Sequence, residues 1–503
     1  MKKNNCYFIT LITLFLFLVS CAKDKGNYTY KNLDSHFVDI DALPKTFVVK
    51  QNELVKVNPT NSIEAPTNLA YEWRLVQQSY APDPSTGTYV NKQLAVTKNL
   101  SYKVIEAPGS YLLVLYVTDK SNGGITQMVK MPFTISSYAS IGWMVVHGDN
   151  TGSDLSIVVN NKLNKLLPAG TDYVQSNVFS ETNGAKIQGE VANVYYMDNH
   201  WVDVFTKTND GGVRLGGNDL RKLNSYSEMF INPLPSNNVK FQAYAGWSYN
   251  ELLINNGDLY FIPQADINVY SKFGVKCFGE DYVAAPFIGT IFNWAYFGVI
   301  YDSKHKRFLY IDYDRTVRQF EAPSASAAFD MRNVGKVMVY AEHGFDNRWF
   351  CVMQNENNPS SRELYVCKFN VSDDGNRGIA KINISGATEL NTAKYFAFGN
   401  KGNIMYHATN TKIYQNNYAG NLASTLMYDV SANYPGSVIT NMKMFKVNNH
   451  PNDGKILFVA LTNPTTKSGT LLQIEVNEVS GAFGTIKAYT GFGEISAMNY
   501  KSK

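Results

Sequence analysis

The chain has 503 residues, 46 of them Lys or Arg against 42 Asp or Glu, and the formal net charge is +4. It falls to +2 once the two lysines of the first twenty residues are set aside, and so near-neutral a balance excludes the basic footprint of a nucleic-acid binder. Aromatic residues make up 13% of the chain, with 33 Tyr and 28 Phe, and charged residues only 17%; that mixture favours strands over solvent-exposed helices.

Residues 1–20 carry Lys2 and Lys3, no acidic residue, and an apolar run from Tyr7 to Val19, the layout of a secretory signal that is too short to span a bilayer comfortably. The run ends in Leu18-Val19-Ser20-Cys21, which resembles the bacterial lipobox. That resemblance implies cleavage before Cys21 and attachment of lipid to its thiol. Asp24, just behind that cysteine in a short linker over 21–27, resembles the surface-export tag of lipoproteins from glycan-foraging Gram-negative bacteria. The localisation it implies is the outer membrane, with a lipid anchor and the protein facing the cell exterior.

From 28 to 137 short apolar runs alternate with turn chemistry and helical periodicity is missing, as in Thr46-Phe-Val-Val-Lys50 and Glu53-Leu-Val-Lys-Val57 ahead of Asn58-Pro59. Period-two alternation directs Tyr71, Trp73 and Leu75 to one face of a strand, and the run Gly109 to Asp119 reads the same way. Tyr71-Glu72-Trp73 and the late Gly109 to Asp119 strand resemble the polycystic-kidney-disease (PKD) type of immunoglobulin-like β-sandwich. Together with the lipobox and the entry Lys25-Gly-Asn-Tyr-Thr-Tyr30, they resemble the PKD-like family lipoproteins of carbohydrate- and peptide-harvesting bacteria. In that family such a domain is a spacer or adhesion module without catalysis. Trp73 and Tyr111 are read as core residues and Asp119 as a turn cap.

Over 138–503 one theme repeats: a strand, a tight polar turn, another strand. Lys394-Tyr-Phe-Ala-Phe, Gly402-Asn-Ile-Met-Tyr-His, Thr411-Lys-Ile-Tyr-Gln and Ser424-Thr-Leu-Met-Tyr place four strands within about 35 residues. Similar phrases begin at Val191, Phe241, Phe297, Val337 and Asn441. Four consecutive antiparallel strands are one propeller blade, and the spacing predicts about seven blades of about 50 residues each. The last blade is composite, since Glu494 to Tyr500 lacks hairpin partners and Ile141-Gly-Trp-Met-Val-Val opens the array abruptly. Pairing these two ends would bury both edges. The predicted fold is therefore all-β, an immunoglobulin/PKD-like sandwich followed by a β-propeller. The charge-free stretch from Tyr282 to Tyr301, interrupted by Pro286, Gly289, Asn293 and Gly298, reads as strands and turns in preference to a membrane helix.

Chemistry-bearing motifs are sparse. The sequence holds no GxSxG, HExxH, Walker loop or EF-hand spacing. The histidines His36, His147, His200, His305, His343, His407 and His450 show no metal-ligand spacing. The reading therefore assigns no catalytic residue, metal or cofactor. Glycosidases need only two nearby carboxylates, for which Glu280-Asp281, Asp312/Asp314 and Asp373-Asp374 are the candidates, each also explicable as solvated loop charge. Trp247 and Trp294, near Gly, Ser and Asn at strand ends, are candidate ligand-binding aromatics, whereas Trp143 and Trp201 fall inside strands and read as core. Cys351 and Cys367 lie in two runs that suit hairpin neighbours; a cross-strand disulfide and a pair of buried free thiols both fit.

The functional expectation is a ligand-binding or accessory scaffold subunit of a glycan or peptide acquisition system. Its partners would be the membrane, through the lipid, and an import complex of the starch-utilisation-system type, as the resemblance implies. A propeller-type polysaccharide hydrolase or lyase and a structural adhesin are the alternatives.

Overall fold

The computed structural model describes residues 37–502 except 63–66, 79–88, 107, 122, 137–139, 150–151, 198–200, 208–210, 248–249, 263–271, 291–296, 313, 370–374 and 421. It is all-β. The first unit comprises β1 (Phe47–Lys50), β2 (Leu54–Val57), β3 (Leu69–Gln77), β4 (Asn91–Ala95), β5 (Leu100–Lys103), β6 (Gly109–Asp119) and β7 (Ile125–Ser136). A five-stranded sheet, β1-β7-β6-β3-β4, faces the pair β2-β5 across one core. Alternation builds that core. Tyr111, Leu113, Leu115 and Val117 from β6 and Val129, Met131, Phe133 and Ile135 from β7 all point inward. Trp73 and Leu75 are fully buried and Tyr71 packs on the same cluster. The Trp73 indole N–H donates to the Thr97 carbonyl at 3.1 Å, so the polar handle of this aromatic is satisfied inside the core. Asp119 caps the β6–β7 turn, its Oδ1 accepting from the Ser121 N–H at 2.8 Å.

Strands then follow in groups. The first is β8 (Gly142–Asp149), β9 (Gly152–Asn160) and β10 (Asp172–Gln175), trailed by the short helix α1 (Val178–Asn183). Next come β11 (Val191–Met197), β12 (Trp201–Thr206), β13 (Gly212–Gly216) and β14 (Lys222–Ser225), then β15 (Phe241–Trp247), β16 (Asn250–Asn255) and β17 (Asp258–Ile262). The fourth group is β18 (Phe278–Gly279), β19 (Ala284–Gly289), β20 (Gly298–Asp302), β21 (Arg307–Ile311) and β22 (Thr316–Gln319). The fifth is β23 (Val337–His343), β24 (Trp349–Asn355), β25 (Asn358–Cys367) and β26 (Gly378–Asn383), and the sixth β27 (Tyr395–Phe398), β28 (Ile404–Ala408), β29 (Lys412–Asn417) and β30 (Thr425–Asp429). After α2 (Val430–Asn433), β31 (Val438–Met444), β32 (Ile456–Asn463), β33 (Ser468–Val476) and β34 (Phe483–Phe492) complete a seventh, and β35 (Glu494–Lys501) ends the fold.

Each group is an antiparallel meander, except that the two-residue β18 joins β22 in parallel. β35 does not extend the seventh sheet. It pairs antiparallel with β8, Met498 opposite Val145 and Tyr500 opposite Trp143, so the first and last strands of the region share the sheet β10-β9-β8-β35. Innermost strands of successive sheets pack on one another: β35 on β11, β11 on β15, β15 on β19, β19 on β23, β23 on β27, β27 on β31, and β31 on β35. The segment Tyr282 to Tyr301 contributes β19 and β20, and among the described residues no helix is long and apolar enough to cross a membrane.

The innermost strands share an irregularity. Register shifts interrupt the pairing of β11, β15, β19, β23, β31 and β35 with their neighbours, at Val191/Asn193, Phe241/Ala243, Ala284/Ile288, Met338/Tyr340, Ile439/Asn441 and Ile495/Ala497. A bulge re-aims the side chains beyond it. The pairing of β27 with β28 runs without a shift.

Candidate functional site

Six bulged strands surround a recess of about 420 Å³, and β27 contributes nothing to its lining. Asn193 and Tyr195 come from β11, Gln242 from β15, Phe287 from β19 with Thr290 just beyond it, Tyr340, Glu342 and His343 from β23, Lys443 from β31 with Lys446 just beyond it, and Asn499 and Tyr500 from β35. Glu342, His343, Lys443, Asn499 and Tyr500 lie toward the C-terminal ends of their strands, and Asn193 and Gln242 in the N-terminal halves of theirs. A second recess, of about 430 Å³, is lined by residues that include Thr440, Glu494 and Ser496 from the N-terminal parts of β31 and β35. There the charges are matched: Lys467 lies 3.1 Å from Glu494, and Lys207 bonds Glu190. Thr440 donates to the Ile495 carbonyl at 2.9 Å.

In the first recess the charges are unequal. Glu342 is fully engaged, 3.0 Å from the Lys446 ammonium and accepting the Phe398 backbone N–H. Lys446 also donates to the His343 carbonyl. Lys443 has no hydrogen-bond or ion-pair partner among the described residues. Burial lowers its ammonium to about 8, with the Glu342 charge opposing the shift. His343 is lowered to about 4, first by burial and then by the Lys446 charge, so its imidazole is neutral at physiological pH. Tyr340 is held well above the usual phenol range by burial and by Glu342.

A separate charged cluster lies in the protein interior. Arg214 meets the Asp203 carboxylate at 2.8 Å through both Nε and Nη2, reaches Glu251 at 2.5 Å, and stacks 4.1 Å above the Trp201 ring. Tyr244 donates to Glu251 at 2.7 Å. Burial raises the Glu251 carboxyl, with Arg214 pulling the other way. All three charged side chains are enclosed, so the cluster joins two neighbouring sheets and meets no solute.

The residues singled out from sequence are scattered by the fold. Cys21, His36, His200, Trp294 and the Asp373-Asp374 pair lie outside the described residues. Trp247 is the last residue of β15 and its side chain is likewise not described. Trp143 and Trp201 are buried, the former stacked on Phe458 at 3.8 Å. Glu280 pairs with Arg307 at 3.0 Å, Asp281 with Lys304 at 2.5 Å, and Asp312 and Asp314 share Arg318. The Lys304 hydrogen bond lowers Asp281, and bonds from Thr316 lower Asp314; neither is poised as a proton donor. His147 bonds Ser156 at 2.8 Å, His305 bonds Asp302 at 2.8 Å, and His407 bonds the Thr388 carbonyl at 2.8 Å. The ring of His450 packs edge-on against Phe445. Among the described residues no three His, Cys, Asp or Glu side chains gather as a metal site.

Cys351 and Cys367 sit on adjacent strands, Cys351 opposite Tyr365 and Cys367 opposite Trp349, a diagonal pair of buried free thiols. Cys277 is also buried and free. Sequence reasoning missed the recess, because Asn193, Gln242, Thr290, Glu342 and Lys443 are isolated polar residues in separate strands. The available signal was a polar residue breaking the apolar run of each innermost strand, as Lys443 does between Met442 and Met444.

Among curated proteins none matches the chain. Among solved structures the chain is similar to one titled "Crystal structure of the tricorn protease", at 11% identity over 84% of this chain and a TM-score of 0.19. The matched region spans 44% of that protein's length. A family model described as the PKD-like family matches residues 21–190, running past β7 through β8, β9, β10 and α1. It is in this N-terminal third that the chain is similar to the PKD-like family.

Proposed function

We propose that this chain is an outer-membrane lipoprotein, anchored through Cys21 and facing the cell exterior, that serves as a ligand-binding or accessory subunit of a glycan or peptide acquisition system. In this reading the PKD-like sandwich is the spacer and the seven later sheets are the blades of a β-propeller. The order of packing among the innermost strands and the shared sheet β10-β9-β8-β35 support the propeller. The carrying observation for binding is the first recess: its volume falls in the range of small-ligand pockets, about 300–1,000 Å³, and it presents an unpaired cation at Lys443.

The experiment is recovery of the native lipoprotein from detergent-solubilised outer membranes, with mass spectrometry of retained proteins and small molecules. Recovery with a nutrient-import receptor and a retained glycan or peptide is the expected result. Recovery alone, with no affinity in a glycan and oligopeptide panel, would overturn the reading.

A further inference from the structure

What the first recess lacks is an anion. Glu342, the one carboxylate among the residues lining the cavity, is paired with Lys446 at 3.0 Å and accepts the Phe398 N–H, so a ligand's ammonium group would meet a carboxylate that already has its cation. A zwitterionic amino acid or a peptide N-terminus would find only half its charge matched. Lys443 stands in the opposite position, a half-buried cation lining the cavity with no hydrogen-bond or ion-pair partner among the described residues. An unmatched charge surrounded by protein is costly, and a ligand carboxylate would offset that cost.

The neutral groups narrow the class further. The Asn193 amide and the Thr290 hydroxyl have no hydrogen-bond partner among the described residues. Gln242 uses only its Oε1, which accepts the Gly257 N–H, and its NH₂ is left to donate. These groups suit hydroxyls, which both donate and accept. Tyr195, Phe287 and Tyr500 supply aromatic surface to the same cavity, and aromatic faces pack against the apolar C–H faces of sugar rings.

We propose that the recess binds an acidic sugar, with the uronate carboxylate on Lys443 and ring hydroxyls on Asn193, Gln242 and Thr290. This rests on the ligand-binding reading above and names its ligand class. The test is calorimetric titration of the full chain with digalacturonate, with its dimethyl ester, which removes the charge and keeps the rings, and with a neutral disaccharide. Digalacturonate should bind, and the ester and the neutral sugar should bind at least about tenfold more weakly. Lys443→Met and Lys443→Gln should weaken digalacturonate about 10- to 100-fold. Lys443→Arg should retain part of the affinity, and replacing the exposed sandwich residue Lys56 by Met should change nothing. Equal affinity for acid and ester, absence of digalacturonate binding at millimolar concentration, or wild-type affinity in folded Lys443→Met would each overturn the proposal. An import receptor that fails to co-purify would count against the accessory-subunit reading alone and leave the acid-to-ester comparison standing.

Discussion

Lys446, just beyond β31, lies 3.0 Å from Glu342, whereas Lys443, near the end of that strand, lines the same cavity with no ion-pair or hydrogen-bond partner among the described residues. The two lysines therefore carry opposite energetic signs. Replacing Lys446 strands the Glu342 carboxylate, while replacing Lys443 removes an unmatched charge.

The first prediction follows from that asymmetry. Lys443→Met should raise stability at pH 7 by about 1–2 kcal/mol, because the lysine is only half-buried and solvent screening reduces the cost of its charge. The ammonium titrates near 8 in the fold and near 10.5 when unexposed to it, so between these values the unfolded chain holds more protons and the penalty fades as pH rises. The gain should be full below about pH 8 and vanish toward pH 10.5. Urea denaturation of both proteins at pH 7, 9 and 10.5 measures this. A gain independent of pH would show that the Lys443 ammonium titrates alike in the folded and unfolded chain, so that burial does not penalise its charge.

Ligand affinity should follow the same ammonium. Uronate binding is expected to be flat between about pH 5.5 and 7 and to weaken above about pH 8 as Lys443 loses its proton. The other titratable groups lining the cavity are Glu342, His343, Tyr340, Lys446, Tyr195, Tyr244 and Tyr500. Of these His343 is already neutral above about 4, burial holds Tyr500 up at about 12, and Tyr340 lies higher still. Titration calorimetry across pH 5.5–9.5 is the check, and a profile falling below pH 7 would point to another group.

Arg214 tests the interior. Arg214→Met leaves Asp203 and Glu251 buried without their cation and should cost about 3–5 kcal/mol. Combining it with Asp203→Leu and Glu251→Leu should recover most of that loss, because the three charges leave together. Denaturation midpoints of the single and triple variants decide it. A triple variant no more stable than the single one would mean that the cluster contributes through its shape.

The shared sheet ties β35 to β8, the first strand of the region. Met498 is fully buried opposite Val145, and Met498→Asp should cost about 3 kcal/mol or more by burying an unpaired carboxylate. Near-UV circular dichroism and a lowered thermal midpoint would register it, whereas a wild-type midpoint would show that β35 is dispensable.

The thiols give a direct count. Burial pushes Cys277 up to about 12, and burial with a hydrogen bond to Cys367 raises Cys351 well above the ordinary range. In a chain expressed without residues 1–21, none of Cys277, Cys351 and Cys367 should react with a thiol reagent under native conditions, and all three should react in guanidinium without reductant. Only one reactive thiol in guanidinium would identify an oxidised Cys351–Cys367 pair.

Strand positions were legible in the chain because period-two alternation and polar turns are local. Tyr71, Trp73 and Leu75, the hairpins from Lys394 to Tyr428, and the orphan ends at Ile141 and Glu494 all carry their signals within a few residues. The recess was not legible. Lys443, Glu342, Thr290, Gln242 and Asn193 are separated by some 50 to 100 residues, and each looks like a single polar interruption of an apolar strand. Whether such a residue is paired or alone depends on which neighbours six bulged strands bring to it. Composition and alternation thus determined the all-β architecture of the chain, whereas tertiary packing decided which lysine is neutralised and which faces the cavity alone, because electrostatic pairing depends on distance in space and alternation only on distance along the chain.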